Sequence, residues 1–450
     1  MDSAVWERVK NSLQTSQDVI CKELTSASRQ MELLYIYFLI DDQKMYFQII
    51  EPFFRLAESY PQAVSSLPAA RKPKDYQDVM GAVLEGQAAL RIEDQWWLID
   101  VRKYEAQKVN DTQVETVIQG PQDAFSENIQ ITLNMLRSRY RVPSLKIESM
   151  KIGESSRTTV ALVYDDEIID KKMLHEVKKR LGSIRVNLLQ SAGELSQLLM
   201  EQRWTLFPRH MITDRPDRAI LNLSNGKIIL AVESTTFVLV LPAVFFDFFS
   251  SMDEPTQLPL IGYFLKFLRY FGLFITVALP AFYVGATSYN PELFRVQLAL
   301  MVSGSRSAVP YASYLEIIIM LIMMEFLIEA SIRLPKSVGS TATTVGGLIL
   351  GQAATEAGLV GNIMIIIVAA VAISNFVIPI NAMSFAVRVI KYPLIVLASL
   401  FGLLGIVVGL VWLVMYLSSL RSFGQPYLKL FQPGVIKRHQ IGPGGTNKGR

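Results

Sequence analysis

From Leu258 onward the chain carries four apolar runs, Tyr263–Ala286, Tyr314–Ile332, Met364–Ile380 and Leu394–Leu417, separated by short polar stretches. Runs of this length suit helices that cross about 30 Å of hydrocarbon. They predict a polytopic α-helical membrane domain over residues 251–420, followed by a basic tail at 421–450. Lys266 and Arg269 stand near the start of the first run, and Pro280 predicts a kink inside it. A further segment, Val338–Leu359, either crosses or re-enters, so the count is four or five. Arg333, Lys336 and the basic tail favour a cytoplasmic C-terminus and an even count, here four, while Arg388 and Lys391 argue the other way.

The stretch Ser337–Asn362, SVGSTATTVGGLILGQAATEAGLVGN, is dense in small residues yet holds one carboxylate, Glu356. At about 100° per residue, Thr343, Gly347, Gly351, Ala354 and Gly358 share one face, where the lack of bulk admits another backbone. Gln352, Thr355, Glu356, Leu359 and Asn362 form a second, polar stripe. Lipid cannot satisfy such groups, so the stripe faces protein or water, as helix glue or as the lining of an ion path. In the second run Glu325, Glu329 and Arg333 follow at four-residue steps, predicting an ion-pair stripe that points inward.

A hydrophobic content of 51% with 19% charged residues excludes a disordered or nucleic-acid-binding chain, and a net charge of +4 does not call for a nucleic-acid partner. The single Cys21 excludes an internal disulfide and a multi-cysteine metal site. The N-terminus MDSAVWERVKNSLQ has early acids and no apolar run, which predicts no cleaved signal and a cytoplasmic N-terminal region. An enzyme is the least supported class: GxxxxGK[ST], HExxH and GxSxG are absent, and His175, His210 and His439 are far apart. No metal or cofactor is expected.

The first 250 residues read as a helix followed by two small α/β subdomains. Residues 1–30 form an amphipathic helix through Val5, Val9, Leu13, Ile20 and Leu24. In the first subdomain, 31–118, Leu33–Ile40 is a buried strand, a helix reaches Tyr60, and Gly81–Leu90 and Arg91–Val101 are β-like around a Glu93-Asp94-Gln95 turn. In the second, 119–250, Asp123 caps a helix through Phe125, Ile129, Leu133 and Leu136. A hairpin of Leu145–Ile152 and Thr158–Tyr164, a lysine-rich helix at 170–181 and an Asn225-Gly226 hairpin follow.

Three separated segments carry a resemblance: GPQDAFSENIQITLNMLRSRYR at Gly120–Arg141, TDRPDRA at Thr213–Ala219, and IEASIRLPKSVGSTATTVGGLILGQAATEAGLV at Ile328–Val360. In order and spacing, over roughly Tyr35–Gln432, the chain resembles the A subunit of spore germinant receptors, the GerA family. The motif residues of the soluble part are Gly120, Pro121, Phe125, Arg215, Pro216 and Asp217. The resemblance implies a multi-pass protein of the spore inner membrane with its N-terminal domains facing the cytoplasm or spore core, assembled with a transporter-like B subunit and a lipoprotein C subunit. It implies a homo-oligomer, a pentamer on the family pattern, forming a nutrient-gated cation channel in which Gln352, Thr355, Glu356 and Asn362 line the pore. Ala124-Phe125, Glu233-Ser234-Thr235-Thr236 and Asp253-Glu254-Pro255 depart from the family pattern and bear on which B subunit pairs. Two alternatives stand beside the channel: a secondary transporter using intramembrane carboxylates, and a non-conducting membrane scaffold.

Overall fold

The computed structural model describes residues 3–429, apart from 14–15, 27–28, 57–59, 68–69, 93–94, 104–111, 113–114, 116–119 and 201–204. The expected Glu93-Asp94 turn and most of the basic tail fall outside the described residues. The described residues divide into two compact units, one within 3–200 and 210–242 and one within 205–209 and 243–429.

The first unit holds two five-stranded antiparallel sheets. Helix α1 (Ser3–Leu13) precedes a sheet ordered β1-β2-β4-β5-β3, from β1 (Val19–Ser26), β2 (Arg29–Ile36), β3 (Ala70–Arg71), β4 (Gln87–Ile92) and β5 (Gln95–Asp100), with α2 (Tyr76–Leu84) before β4. Alternating residues feed two cores. Leu34, Ile36, Ala89 and Leu98 pack with Trp6, Val9 and Val83 of the helices, and Leu33, Tyr35, Leu90 and Ile99 pack on the other face with Met45, Ile49 and Phe53. Helix α1 therefore stops well short of the expected Leu24. Val19–Ser26 pairs with β2 residue for residue, and those backbone bonds and β-branched side chains outweigh the loose helical spacing. Gly81–Leu84 is likewise the end of a helix, capped at its start by the Asp75 carboxylate.

The second sheet is ordered β6-β7-β9-β10-β8, from β6 (Leu145–Ile152), β7 (Thr158–Asp165), β8 (Met211–Thr213), β9 (Ile228–Val232) and β10 (Val238–Leu241). It is accompanied by α3 (Ile129–Arg139), α4 (Lys171–Ser183), α5 (Ala192–Leu199) and α6 (Pro216–Ser224). Asn128, not Asp123, caps α3, its side chain accepting from Gln130 N at 2.9 Å; Asp123 pairs instead with Arg139. The expected Asn-Gly hairpin is a helix end. Pro216 starts α6, whose buried Ala219, Asn222 and Leu223 follow a helical period, and Gly226 at φ +76° turns the chain into β9. The two sheets are joined by a buried ion pair, Arg137 Nε to Asp18 Oδ2 at 3.1 Å.

The second unit is helical: α7 (Pro259–Ser288), α8 (Val296–Arg306), α9 (Ser313–Arg333), α10 (Lys336–Glu356), α11 (Asn362–Phe376) and α12 (Asn381–Ser419), closed by a short hairpin of β11 (Arg421–Ser422) and β12 (Gln425–Pro426). Helices α7 and α12 are long and apolar enough to cross a membrane by length and composition. Straight, the 39 residues of α12 would measure about 58 Å, twice what a bilayer needs. Instead the chain reverses at Gly402 (φ +60°, ψ −139°), contrary to the single span expected over Leu394–Leu417. A Cβ at Gly405 would strike the carbonyl of Leu397, and one at Gly409 the side chain of Leu394, so both glycines lie where the two legs press together. The hydroxyl of Tyr289 donates to Ser399 O at 2.7 Å or Leu400 O at 3.1 Å, taking up carbonyls freed at the break.

Candidate functional site

The soluble motifs meet at Arg215, which is 1% exposed. Its guanidinium forks onto Asp217, with Nε to Oδ1 at 3.0 Å and Nη2 to Oδ2 at 2.6 Å, and donates to Glu115 O at 3.1 Å and Pro121 O at 3.0 Å. Thr213 Oγ1 accepts from Arg215 N, and Phe125 N donates to Asp214 O at 2.9 Å, which seats the fully buried Phe125 ring. Gly120 is exposed on this segment. The TDRPDRA and GPQDAF segments are thus one clamp, whose donors are spent on protein acceptors. Glu115 escaped the sequence reading and Arg218 stood unassigned within TDRPDRA; the two pair at 2.6 Å with both side chains buried. Burial pushes the Glu115 carboxyl up, against the opposing pull of Arg218. The available signal was an acid between Val114 and Val117.

In the helical unit, the expected small-residue face is divided. Helix α10 lies against α9 through Gly339, whose Cβ would stand 2.9 Å from Ser331 O, and Gly346, 3.2 Å from Leu327. Gly347 faces open space, Gly351 touches Ile365 loosely at 3.8 Å, and Ala354 is buried. Thr343 and Thr355 bond back to their own helix, at Gly339 O and Gln352 O. Gly358 does not belong to the packing face: α10 ends at Glu356, and Gly358 at φ +64° terminates it, with Leu359 N on Ala354 O. The polar stripe is cut at the same place. Gln352 and Glu356 are exposed on the last turns of α10, and Asn362, also exposed, opens α11.

The ion-pair stripe also splits. Arg333 pairs with Glu329 at 2.8 Å, but both are exposed, 77% and 54% by side chain. Glu325 turns away to α12, where it takes Lys391 Nζ at 2.9 Å and the Arg388 guanidinium. On α12 the part-buried Glu325 meets two cations, one of them the 4%-exposed Lys391, which would otherwise be a buried charge without a counter-charge. The buried carboxylate on α9 was not foreseen. Glu316, 0% exposed, accepts from Gly361 N at 2.7 Å and faces Arg306 at 3.5 Å, so it fastens the α10–α11 turn to the end of α8.

The model of the Bacillus/Clostridium GerA spore germination protein family matches residues 7–441. The chain belongs to the GerA family. Among its relatives are spore germination protein KA of Bacillus subtilis, 31% identical over 94% of this chain and 80% of that one, and spore germination protein GerQA of Bacillus cereus, 33% identical over 94% and 86%. The uncharacterized membrane protein YfkQ of Bacillus subtilis is 32% identical over 81% of this GerA-family chain and 71% of its own. The crystal structure of the N-terminal domain of the A subunit of the Bacillus megaterium spore germinant receptor GerK3 aligns with 53% of this chain and 94% of that one, at 24% identity and a TM-score of 0.40.

Proposed function

We propose that this GerA-family chain is the A subunit of a nutrient germinant receptor in the spore inner membrane, a multi-pass protein that oligomerises, with α10 lining a cation path. The observation that carries the reading is the exposure of Gln352 and Glu356 on a helix that also exposes Leu348 and Ile349. At 100° per residue these four lie within about 100° of one another, so one exposed face is apolar at Leu348 and Ile349 and, a turn later, holds a carboxylate that lipid would reject. Gly347 and Gly351 leave room for a neighbouring backbone beside that face. A ring of copies would let the small residues pack and turn Gln352, Thr355 and Glu356 to water. Partnership with B and C subunits comes from the family reading.

The test is thiol accessibility in spores. In a Cys21→Ser background, Gln352→Cys and Glu356→Cys chains are scored for potassium release after nutrient addition, with and without a small charged thiol reagent. The channel reading expects reagent-dependent block at both positions. Release that the reagent alters at neither position, from chains that still function, rejects α10 as the path and favours a scaffold.

A further inference from the structure

Between α9, α11 and the first leg of α12 lies a cavity of about 10 Å³, lined by Glu325, Asn375, Arg388 and Lys391 among apolar side chains. That is room for one occupant the size of a water molecule or a monatomic ion. The charge around it does not balance. Arg388 and Lys391 both pair with Glu325, and among the described residues no other carboxylate pairs with either. Two cations and one anion leave a net +1 beside apolar helices, which a low-dielectric interior strongly disfavours.

Asn375 supplies the second observation. It is 4% exposed, its Nδ2 meets Ser384 Oγ at 3.0 Å, and its Oδ1 has no partner. The two ends of a carboxamide have the same shape. Turned half a revolution, Asn375 accepts from the Ser384 hydroxyl and presents its NH₂ to the cavity, and no buried polar atom of the amide is left without a role. Glu325 engages Nε and Nη2 of Arg388 and Nζ of Lys391. An ammonium carries three N–H groups and a guanidinium five, so donors remain for a further acceptor.

We propose that this cavity is a site for one chloride-sized anion, held by Lys391, Arg388 and the Asn375 amide, which neutralises the cluster between α9, α11 and α12. The site is separate from α10 and does not depend on the chain conducting cations.

The test uses the full chain in lipid nanodiscs. Equilibrium dialysis with radiolabelled chloride should give saturable binding at one ion per chain. Lys391→Met leaves a neutral Glu325–Arg388 pair and should weaken binding at least tenfold, whereas Lys172→Gln, at an exposed position of α4, should not change it. Should Lys391→Met fail to fold, the unmutated chain still decides: its unfolding midpoint, followed at Trp412, should be about 2–4 °C higher in sodium chloride than in sodium gluconate of equal ionic strength. Absence of saturable binding together with equal midpoints overturns the proposal and assigns the cavity to water or Lys391 to its neutral form. Undiminished binding in a folded Lys391→Met chain also overturns it, as an adventitious ion only.

Discussion

Arg137, on α3 of the second sheet, lies 3.1 Å from Asp18, at the threshold of the first, and the side chains are 1% and 0% exposed. Arg137 also donates to Leu145 O at 2.9 Å, and the Ser16 hydroxyl bonds Asp18. Removing one partner strands the other charge. Asp18→Ala is expected to destabilise the fold by about 3–5 kcal/mol, while the double variant Asp18→Leu/Arg137→Met recovers most of it. Urea unfolding, read by the fluorescence of Trp6 and Trp96, measures both.

Arg215→Lys keeps the charge but loses the fork onto Asp217 and the reach to two carbonyls. It is expected to cost about 2–4 kcal/mol, given several charged hydrogen bonds in a buried setting. Amide exchange should accelerate at Phe125, whose N–H is held by Asp214 O, and remain slow in β6 and β7. Equal protection at Phe125 in both chains would show that the clamp does not hold this segment.

His210 is buried, and desolvation lowers its pKa to about 4. Unfolded, it returns to about 6.5, so between those values the unfolded chain binds more protons and stability falls as pH falls. The loss amounts to roughly 3 kcal/mol when complete, near pH 4. Glu115 contributes the opposite sign, since burial raises its carboxyl and protonation there favours the fold. The difference between native and His210→Gln chains isolates the histidine: the variant should show a flatter fall between pH 6.5 and 4.

The reversal of α12 brings Leu394 against Gly409, which a straight helix would hold about 22 Å apart. In a Cys21→Ser background, Leu394→Cys with Gly409→Cys should form an intramolecular disulfide on mild oxidation, visible as a mobility shift. Leu394→Cys with Trp412→Cys, on an exposed face, should not. Failure of the first pair to cross-link would restore a continuous helix. Gly402→Val meets the Tyr289 ring at 2.9 Å and an unfavourable φ, and should abolish the cross-link when added to the Leu394→Cys/Gly409→Cys chain.

The apolar runs were legible because burial in lipid or core writes itself in composition, and the β6–β7 hairpin because an alternating stretch and a continuous apolar, β-branched run flank the Gly153 turn. The Asn225-Gly226 pair misled because that dipeptide ends a helix as well as it turns a hairpin, and only the period of the residues before it tells the two apart. Val19–Ser26 misled for the opposite reason: its strand identity comes from β2, a partner outside its own window. At the motifs, Arg215 and Asp217 stood out as neighbours in sequence. Glu115, a hundred positions away, is joined to them only by folding. The same holds for Glu325, whose true partners lie 63 and 66 residues on, while the helical spacing pointed to Arg333.

Helix α9 carries Glu316 and Glu325 nine residues apart, about 13 Å along its axis, each answered by a different part of the chain. Two such fastenings on one rod act as a vertical gauge. A slide of one residue would unseat both carboxylates at once, so the depth of the α10–α11 turn and of the first leg of α12 is set by charge registration. In the membrane placement proposed above, lipids of different thickness would then bend the annulus of bilayer around this unit before they shifted its helices past one another.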